Sequence, residues 1–239
     1  TRAAMSLIKS KLLLSILAAC LLGFAPIEEP NPSDLAFVLS RTVHIGNCSG
    51  VILPPQKDSL GNWHWFVASA AHCSTGGSRT VQVLYPSDKT RKFTGREVIR
   101  IGGGGSVDLL IIELDFLAGS DPLPFAELSG LEEAKPDDSV VVTGYPARGN
   151  QINPTNRGLV WKSARIKSIK DLVTIDQAIS SGNSGGPIWH GKKALGIAST
   201  TSAGGGPVYS QFTGPTTLHK AYHQAAQKAG VTVVCDCWG

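Results

Sequence analysis

Apolar and polar residues alternate in short runs along most of this chain, and glycine, proline, asparagine or aspartate separates one run from the next. Before residue 116 six runs have this form: "LAFVLSRTVHIG" (35–46), "CSGVILPP" (48–55), "WHWFVASA" (63–70), "TVQVLYP" (80–86), "KFTGREVIRIG" (92–102) and "VDLLIIELD" (107–115). A second set follows in "SVVVTGYP" (139–146), "GLVWKSARIKSI" (158–169), "LVTIDQAI" (172–179), "GGPIWHG" (185–191), "KALGIAST" (193–200) and "PVYSQF" (207–212). A period of two, enriched in β-branched residues and bounded by turn formers, predicts strands. Only "PTTLHKAYHQAAQKAG" (215–230), opened by Pro215 and closed by Gly230, reads as a helix. Many short strands at regular spacing indicate an all-β protein built from barrels or a sandwich. The segment 118–138, rich in breakers and acids, reads as a linker from a first barrel over about 35–117 to a second over about 139–214.

Composition sharpens this picture. Charged residues are 17% of the chain, below the roughly 25% of an average domain, and 27 of 239 residues are glycine, above the usual share of about 7%. The net charge of +4 is scattered without a basic run, which gives no support to nucleic-acid binding. Arg2, Lys9 and Lys11 precede the fourteen apolar or small residues Leu12 to Ala25, too short for a comfortable membrane span and in the order of a secretory signal. Residues 1–30 are therefore set aside as a leader, and a secreted or periplasmic protein is expected. "LAAC" ending at Cys20 also matches a lipoprotein-type leader, so any membrane anchoring would run through this segment. In an oxidising compartment Cys48 and Cys73 can pair, closing a loop worth roughly 3 kcal/mol in the chain-entropy model. For Cys235 and Cys237 an intermolecular bond and free thiols both stay open, and neither pair is expected to hold a metal.

Three stretches carry chemistry. "SSGNSGGPIW" (180–189) surrounds Ser184 with Gly182, Gly185 and Gly186, each costing about 0.5–1 kcal/mol in ordering relative to alanine, as a backbone does when it must approach something closely. Such a loop lets the N–H groups of Gly182 and Ser184 aim at one point, where an oxyanion would need donors. "WFVASAAHCS" (65–74) ends an apolar strand at His72, and "GGGGSVDLLIIELD" (102–115) places Asp108 at the mouth of a strongly apolar strand. A carboxylate buried there requires a partner, and an imidazole supplies one. Asp88, Asp115 and Asp121 lie in loop-like surroundings. "GNSGG" also satisfies the nucleophile elbow of α/β-hydrolases, which need an acid and then a histidine after the serine. Here Asp236 is the one acid that follows, with no histidine behind it.

In order, "ASAAHC", "DLLIIEL" and "GNSGGP" resemble the histidine, aspartate and serine motifs of trypsin-like, chymotrypsin-fold serine proteases, and "CSGVIL" (48–53) resembles the strand that carries the disulfide partner. The resemblance covers roughly residues 36–225, and "DQAISSGNSGGPI" with "GYP" (144–146) is most similar to the bacterial HtrA- and V8-like members. It implies an all-β fold of two six-stranded antiparallel barrels with a C-terminal α-helix, in a protease domain over 31–239. It implies His72 as base, Asp108 as its orienting carboxylate, Ser184 as nucleophile, Gly182 and Ser184 as oxyanion donors, and a Cys48–Cys73 bridge. By motif position Ala178, flanked by Ile179, would form the base of the primary pocket, and Ser199 and Thr201 would belong to its wall. No acid or histidine stands there, so a small or medium apolar P1 residue in a protein or peptide substrate is expected. Asn183 replaces the aspartate that trypsin-type zymogens neutralise with a new amino terminus, so that route of activation is not expected, nor is a PDZ domain after the helix. No cofactor is required. His219 and His223 read as a surface helix, and His44, His64 and His190 are given no chemistry. The competing reading is a non-catalytic relative that keeps the double barrel as a binding module.

Overall fold

The computed structural model describes residues 27–74, 76–84, 90–102, 107–115, 122–130, 133–146, 158–201 and 209–231. Residues 1–26, which hold most of the expected leader and Cys20, lie outside them, as do Cys235 and Cys237. The first structural element corrects the sequence pattern. Where strand is predicted from residue 35, Pro32–Leu39 forms helix α1, and β1 is confined to Thr42–Ile45. The cause is local: Asn31 caps the helix by accepting the Asp34 N–H at 2.9 Å, and Pro32 fits the first turn, where no N–H partner is needed. Leu35 and Val38, one turn apart, then reach the same core.

The remaining strands of the first half are β2 (Cys48–Ile52), β3 (Gln56–Lys57), β4 (Trp63–Ser69), β5 (Ser78–Leu84), β6 (Thr90–Gly102) and β7 (Asp108–Leu114). They run in the order β2-β1-β5-β6-β7-β4, and β2 pairs with β4 through Val51–Ala68 and Ile52–Val67, closing a six-stranded antiparallel barrel with β3 appended. The second half supplies β8 (Glu127–Leu128), β9 (Ser139–Gly144), β10 (Val160–Ile169), β11 (Leu172–Ile175), β12 (Pro187–His190), β13 (Lys193–Thr201) and β14 (Ser210–Thr213). Its order β12-β9-β10-β11-β14-β13 closes through β12–β13, and β8 adds to the edge in parallel with β13. Helix α2 (Pro215–Lys228) completes the fold.

The apolar run of β7 is explained by burial on both faces. Leu110, Ile112 and Leu114 fill the interior of the first barrel, whereas Leu109 and Ile111 face a cluster shared with Trp189, Ile197 and helix α2. Leu218, Ala221, Tyr222 and Ala225 form the buried stripe of that helix, with the spacing of one helical face. Tyr222 Oη donates to the Pro54 carbonyl at 2.7 Å, so the C-terminal helix is anchored to the first barrel.

A buried line of hydroxyls crosses between the barrels. Trp189 Nε1 donates to Thr143 Oγ1 at 2.8 Å, and Thr143 and Thr42 share a hydrogen bond of 2.6 Å. Because Thr42 Oγ1 donates to the Val38 carbonyl at 3.0 Å, the proton between the two threonines belongs to Thr143. Thr143→Val leaves the indole N–H buried without an acceptor. It is expected to lower stability by about 1–3 kcal/mol in urea denaturation, with Thr143→Ser close to wild type. Equal stability of the valine variant would show that this line does not hold the barrels in register.

Candidate active site

His72 sits in a single 3-10 turn, Ala71–Cys73, that follows β4. The disulfide Cys48–Cys73 ties this turn to β2, with Cα atoms 6.1 Å apart. From the opposite side the Arg100 guanidinium on β6 donates twice to the Ser74 carbonyl, both at 3.2 Å. The turn is thus fixed from two directions, while the imidazole remains 38% exposed.

Asp108 opens β7 with its side chain fully buried. Its backbone is held by Thr213, whose hydroxyl accepts from Asp108 N–H at 3.1 Å and donates to Asp108 C=O at 3.2 Å. The carboxylate accepts from the His72 N–H at 3.0 Å, from His72 Nδ1 at 2.5 Å and from Ser199 Oγ at 3.2 Å. Burial alone would push this carboxyl up, but the His72 ring, the His72 N–H and the Ser199 hydroxyl outweigh it and hold it below the ordinary 3.8. The same hydrogen bond raises the His72 imidazole above its ordinary 6.5, against a smaller opposing effect of burial. The geometry fixes the tautomer too: Nδ1 carries the proton toward Asp108 and leaves Nε2 as the basic position.

The Ser184 loop shows why its glycines are needed. Gly182 and Gly185 adopt φ of +94° and +80°, a region that disfavours side chains. A Cβ at Gly185 would lie 2.2 Å from both the Ser49 carbonyl and Ser69 Oγ, and one at Gly186 2.3 Å from the Thr143 carbonyl. The loop therefore packs by its backbone against β2, β4 and β9. Ser184 C=O accepts from Ser49 N–H at 2.8 Å and lies 3.8 Å from Cys73 Sγ, which brings the serine beside the His72 turn. Among the described residues the hydroxyl of Ser184 makes no hydrogen bond to His72, and the N–H groups of Gly182 and Ser184 donate to no protein acceptor. Asn183 is 8% exposed, and among the described residues its buried Oδ1 has no hydrogen-bond partner. An aspartate in its place would bury an uncompensated charge.

The four residues assigned to the pocket fall in different settings. Ala178 and Ile179 are half-buried in the segment before the serine loop, and Lys162 Nζ donates to the Ala178 carbonyl at 3.3 Å. Ser199 turns its hydroxyl to Asp108. Thr201 ends β13 opposite Ser210. Sequence reasoning misses Ser210, whose buried hydroxyl accepts the Ile179 N–H at 3.0 Å, and Ser49, whose buried hydroxyl donates to the Gly182 carbonyl at 2.8 Å. The other histidines stand apart from this cluster. His64 bonds Glu113 at 2.7 Å and Asp58 at 3.3 Å, and His219 Nε2 donates to the Ser129 carbonyl at 3.0 Å. Of the competing acids, Asp115 donates its N–H to Thr94 C=O on the barrel, while Asp88 and Asp121 lie outside the described residues.

Comparison with known proteins finds that residues 48–197 match the family model for the trypsin-like peptidase domain. Protease Do-like 2, chloroplastic, from Arabidopsis thaliana is 34% identical over 135 residues, covering 54% of this chain and 21% of its own length. A Rickettsia prowazekii protein named "Probable periplasmic serine endoprotease DegP-like" is 29% identical over 104 residues, covering 41% of this chain and 20% of its own length. This chain thus spans about a fifth of the length of either relative. Among solved structures, the M. tuberculosis protease Rv3671c in an inactive form superposes with a TM-score of 0.57 at 22% identity, over 84% of this chain and 99% of that one, which shows the shared fold.

The His72–Asp108 pair makes a direct prediction. In an NMR titration His72 is expected to titrate above 6.5, and Asp108→Asn to bring it back toward or below that value. The sign for stability follows. Asp108 contributes fully above 3.8 and loses its contribution as pH falls through its lowered folded value; His72 contributes fully below 6.5 and loses its contribution as pH rises through its raised one. A wild-type His72 titrating below 6.5 would contradict the pairing.

Proposed function

Because this chain belongs to the trypsin-like peptidase family, we propose that it is an exported serine endopeptidase whose catalytic groups are His72, Asp108 and Ser184. The observation that carries the reading is the His72–Asp108 pair, closed at 2.5 Å on a turn whose Cys73 sulfur lies 3.8 Å from the carbonyl of Ser184. Nε2 of His72 takes the proton of the Ser184 hydroxyl as Oγ attacks the substrate carbonyl, and the imidazolium then returns a proton to the leaving amine. Asp108, already ionised, stabilises that imidazolium without accepting a proton. The Gly182 and Ser184 N–H groups receive the developing oxyanion, each such donor being worth about 2.7–4 kcal/mol in comparable enzymes. Water then cleaves the acyl-enzyme by the same proton path. Substrate-free active sites commonly hold the serine–histidine bond open until the substrate complex forms, which accommodates the separated hydroxyl.

Ala178 and Ile179 carry methyl and branched apolar side chains, and the Ile179 N–H is taken up by the Ser210 hydroxyl. This setting favours a small or medium apolar P1 side chain, such as alanine, valine or leucine, in a protein or peptide. Export rests on the basic-then-apolar order of residues 2–25. The open contact between Ser184 and His72 favours a second reading, a binding module that keeps the double barrel without turnover.

A fluorogenic peptide library varied at P1, assayed with wild type and Ser184→Ala, separates these readings. Cleavage after alanine, valine or leucine is expected, with loss of about 10⁴-fold or more in the variant. Preference for arginine or glutamate would overturn the pocket assignment, and activity retained by Ser184→Ala would overturn the triad. No cleavage of any member by folded wild-type protein would favour the binding module.

A further inference from the structure

We propose that Ser49 is the positioning residue of the oxyanion loop, acting through a side-chain hydroxyl that locks the Gly182 peptide; the inference rests on the peptidase reading above. Ser49 lies in β2 with no exposed surface, and all of its polar groups are engaged. Its Oγ donates to the Gly182 carbonyl at 2.8 Å and accepts the Tyr145 N–H at 2.8 Å. Its N–H donates to the Ser184 carbonyl at 2.8 Å, and its carbonyl accepts Ser69 Oγ at 2.7 Å. One residue of the first barrel thereby holds the carbonyls of the two residues whose N–H groups would face the oxyanion.

The need for such a lock comes from Gly182 itself. At φ of +94° it occupies a region that glycine leaves readily, since it populates both signs of φ with similar ease. The Gly182–Asn183 peptide is planar and lies between the two peptides that carry the Gly182 and Ser184 N–H groups, so fixing both of its ends fixes the Gly182 and Asn183 Cα atoms from which those donor peptides extend. Ser49 Oγ holds the carbonyl end, and Asn183 N–H donates to the Ser180 carbonyl at 3.0 Å at the other. The surroundings are shaped to admit this hydroxyl and little more. A Cβ at Gly144 would stand 3.0 Å from Ser49 Oγ, and one at Gly186 3.2 Å from Ser49 Cβ. The two backbone bonds of Ser49 need no side chain, so the hydroxyl bond to Gly182 is the part that only serine supplies.

Ser49→Ala and Ser49→Gly remove the hydroxyl and keep both backbone bonds. The test measures kcat per active site, counted by burst titration with an activated ester, together with KM and the affinity of a peptide boronate, whose tetrahedral oxygen occupies the oxyanion position. Expected is a fall in kcat per titrated site of about tenfold or more, below the roughly 10²–10³ of deleting an oxyanion donor outright. Boronate affinity should fall in step, and KM should change by less than about threefold, since the ground state does not draw on the oxyanion donors. An unchanged kcat per titrated site, with lowered thermal stability alone, would overturn the proposal. Amide NMR gives a readout independent of turnover: the Gly182 and Ser184 resonances should shift or broaden in both variants while those of Ile166 and Val173 in the second barrel stay in place. If wild type neither cleaves peptides nor titrates, the peptidase reading fails, and these amides still decide the lock, with unmoved resonances overturning it.

Discussion

The Ser184 loop is carried by the second barrel but pressed against the first, and the hydrogen bond from Ser49 N–H to the Ser184 carbonyl, 2.8 Å long, marks where the two meet. For that bond to form, Gly185 has to pass so close to the Ser49 carbonyl and Ser69 hydroxyl that no side chain fits, and Gly186 likewise against Thr143. The ordering entropy of these glycines is offset by the approach they permit. His72 stands on the same border, held by the disulfide to β2, so the proposed base and nucleophile share one seam between the two barrels. The Trp189–Thr143–Thr42 line and helix α2 fasten that seam farther along.

Electrostatics follows from where the seam is dry. Asp108 is fully buried, yet it keeps its charge because three donors converge on it, two from His72 and one from Ser199. A buried carboxylate lacking any of them would move toward the neutral form. The imidazole opposite it is partly in solvent, which leaves Nε2 accessible to a substrate-side proton. Asn183 belongs to the same logic from the neutral side: a buried amide oxygen without a partner costs far less than a buried carboxylate without one.

Much of this arrangement was legible in the sequence because its signals are local. Asp108 at the head of "DLLIIEL", His72 after "ASAA" and Ser184 among glycines each announce a conflict between residue type and surroundings that a partner must resolve. Most of the alternating runs contain a strand of one of the two barrels, although the first is strand only over Thr42–Ile45 and the run from Leu172 is strand only to Ile175. What stayed hidden depends on contacts between distant segments. The hydrogen bond from the Ser199 hydroxyl to Asp108 joins residues far apart in the chain, and nothing local to β13 announces it, whatever part Ser199 has in the pocket wall. Ser49, between Cys48 and Gly50, carries no motif of its own; its role exists only once β2 meets the Gly182 loop. Helix α1 was missed for a different reason: "LAFVL" suits a strand, and the cap at Asn31 with Pro32 decides the matter.

In the mechanism proposed, Ser184 reacts as part of a unit assembled across the barrel seam. Covalent labelling with a fluorophosphonate, mapped by peptide mass spectrometry, tests it most directly. One adduct is expected, on Ser184, formed by the folded protein and lost both in denaturant and in His72→Ala. Labelling that persists in the His72 variant, or that falls on another serine of the folded wild type, would contradict it.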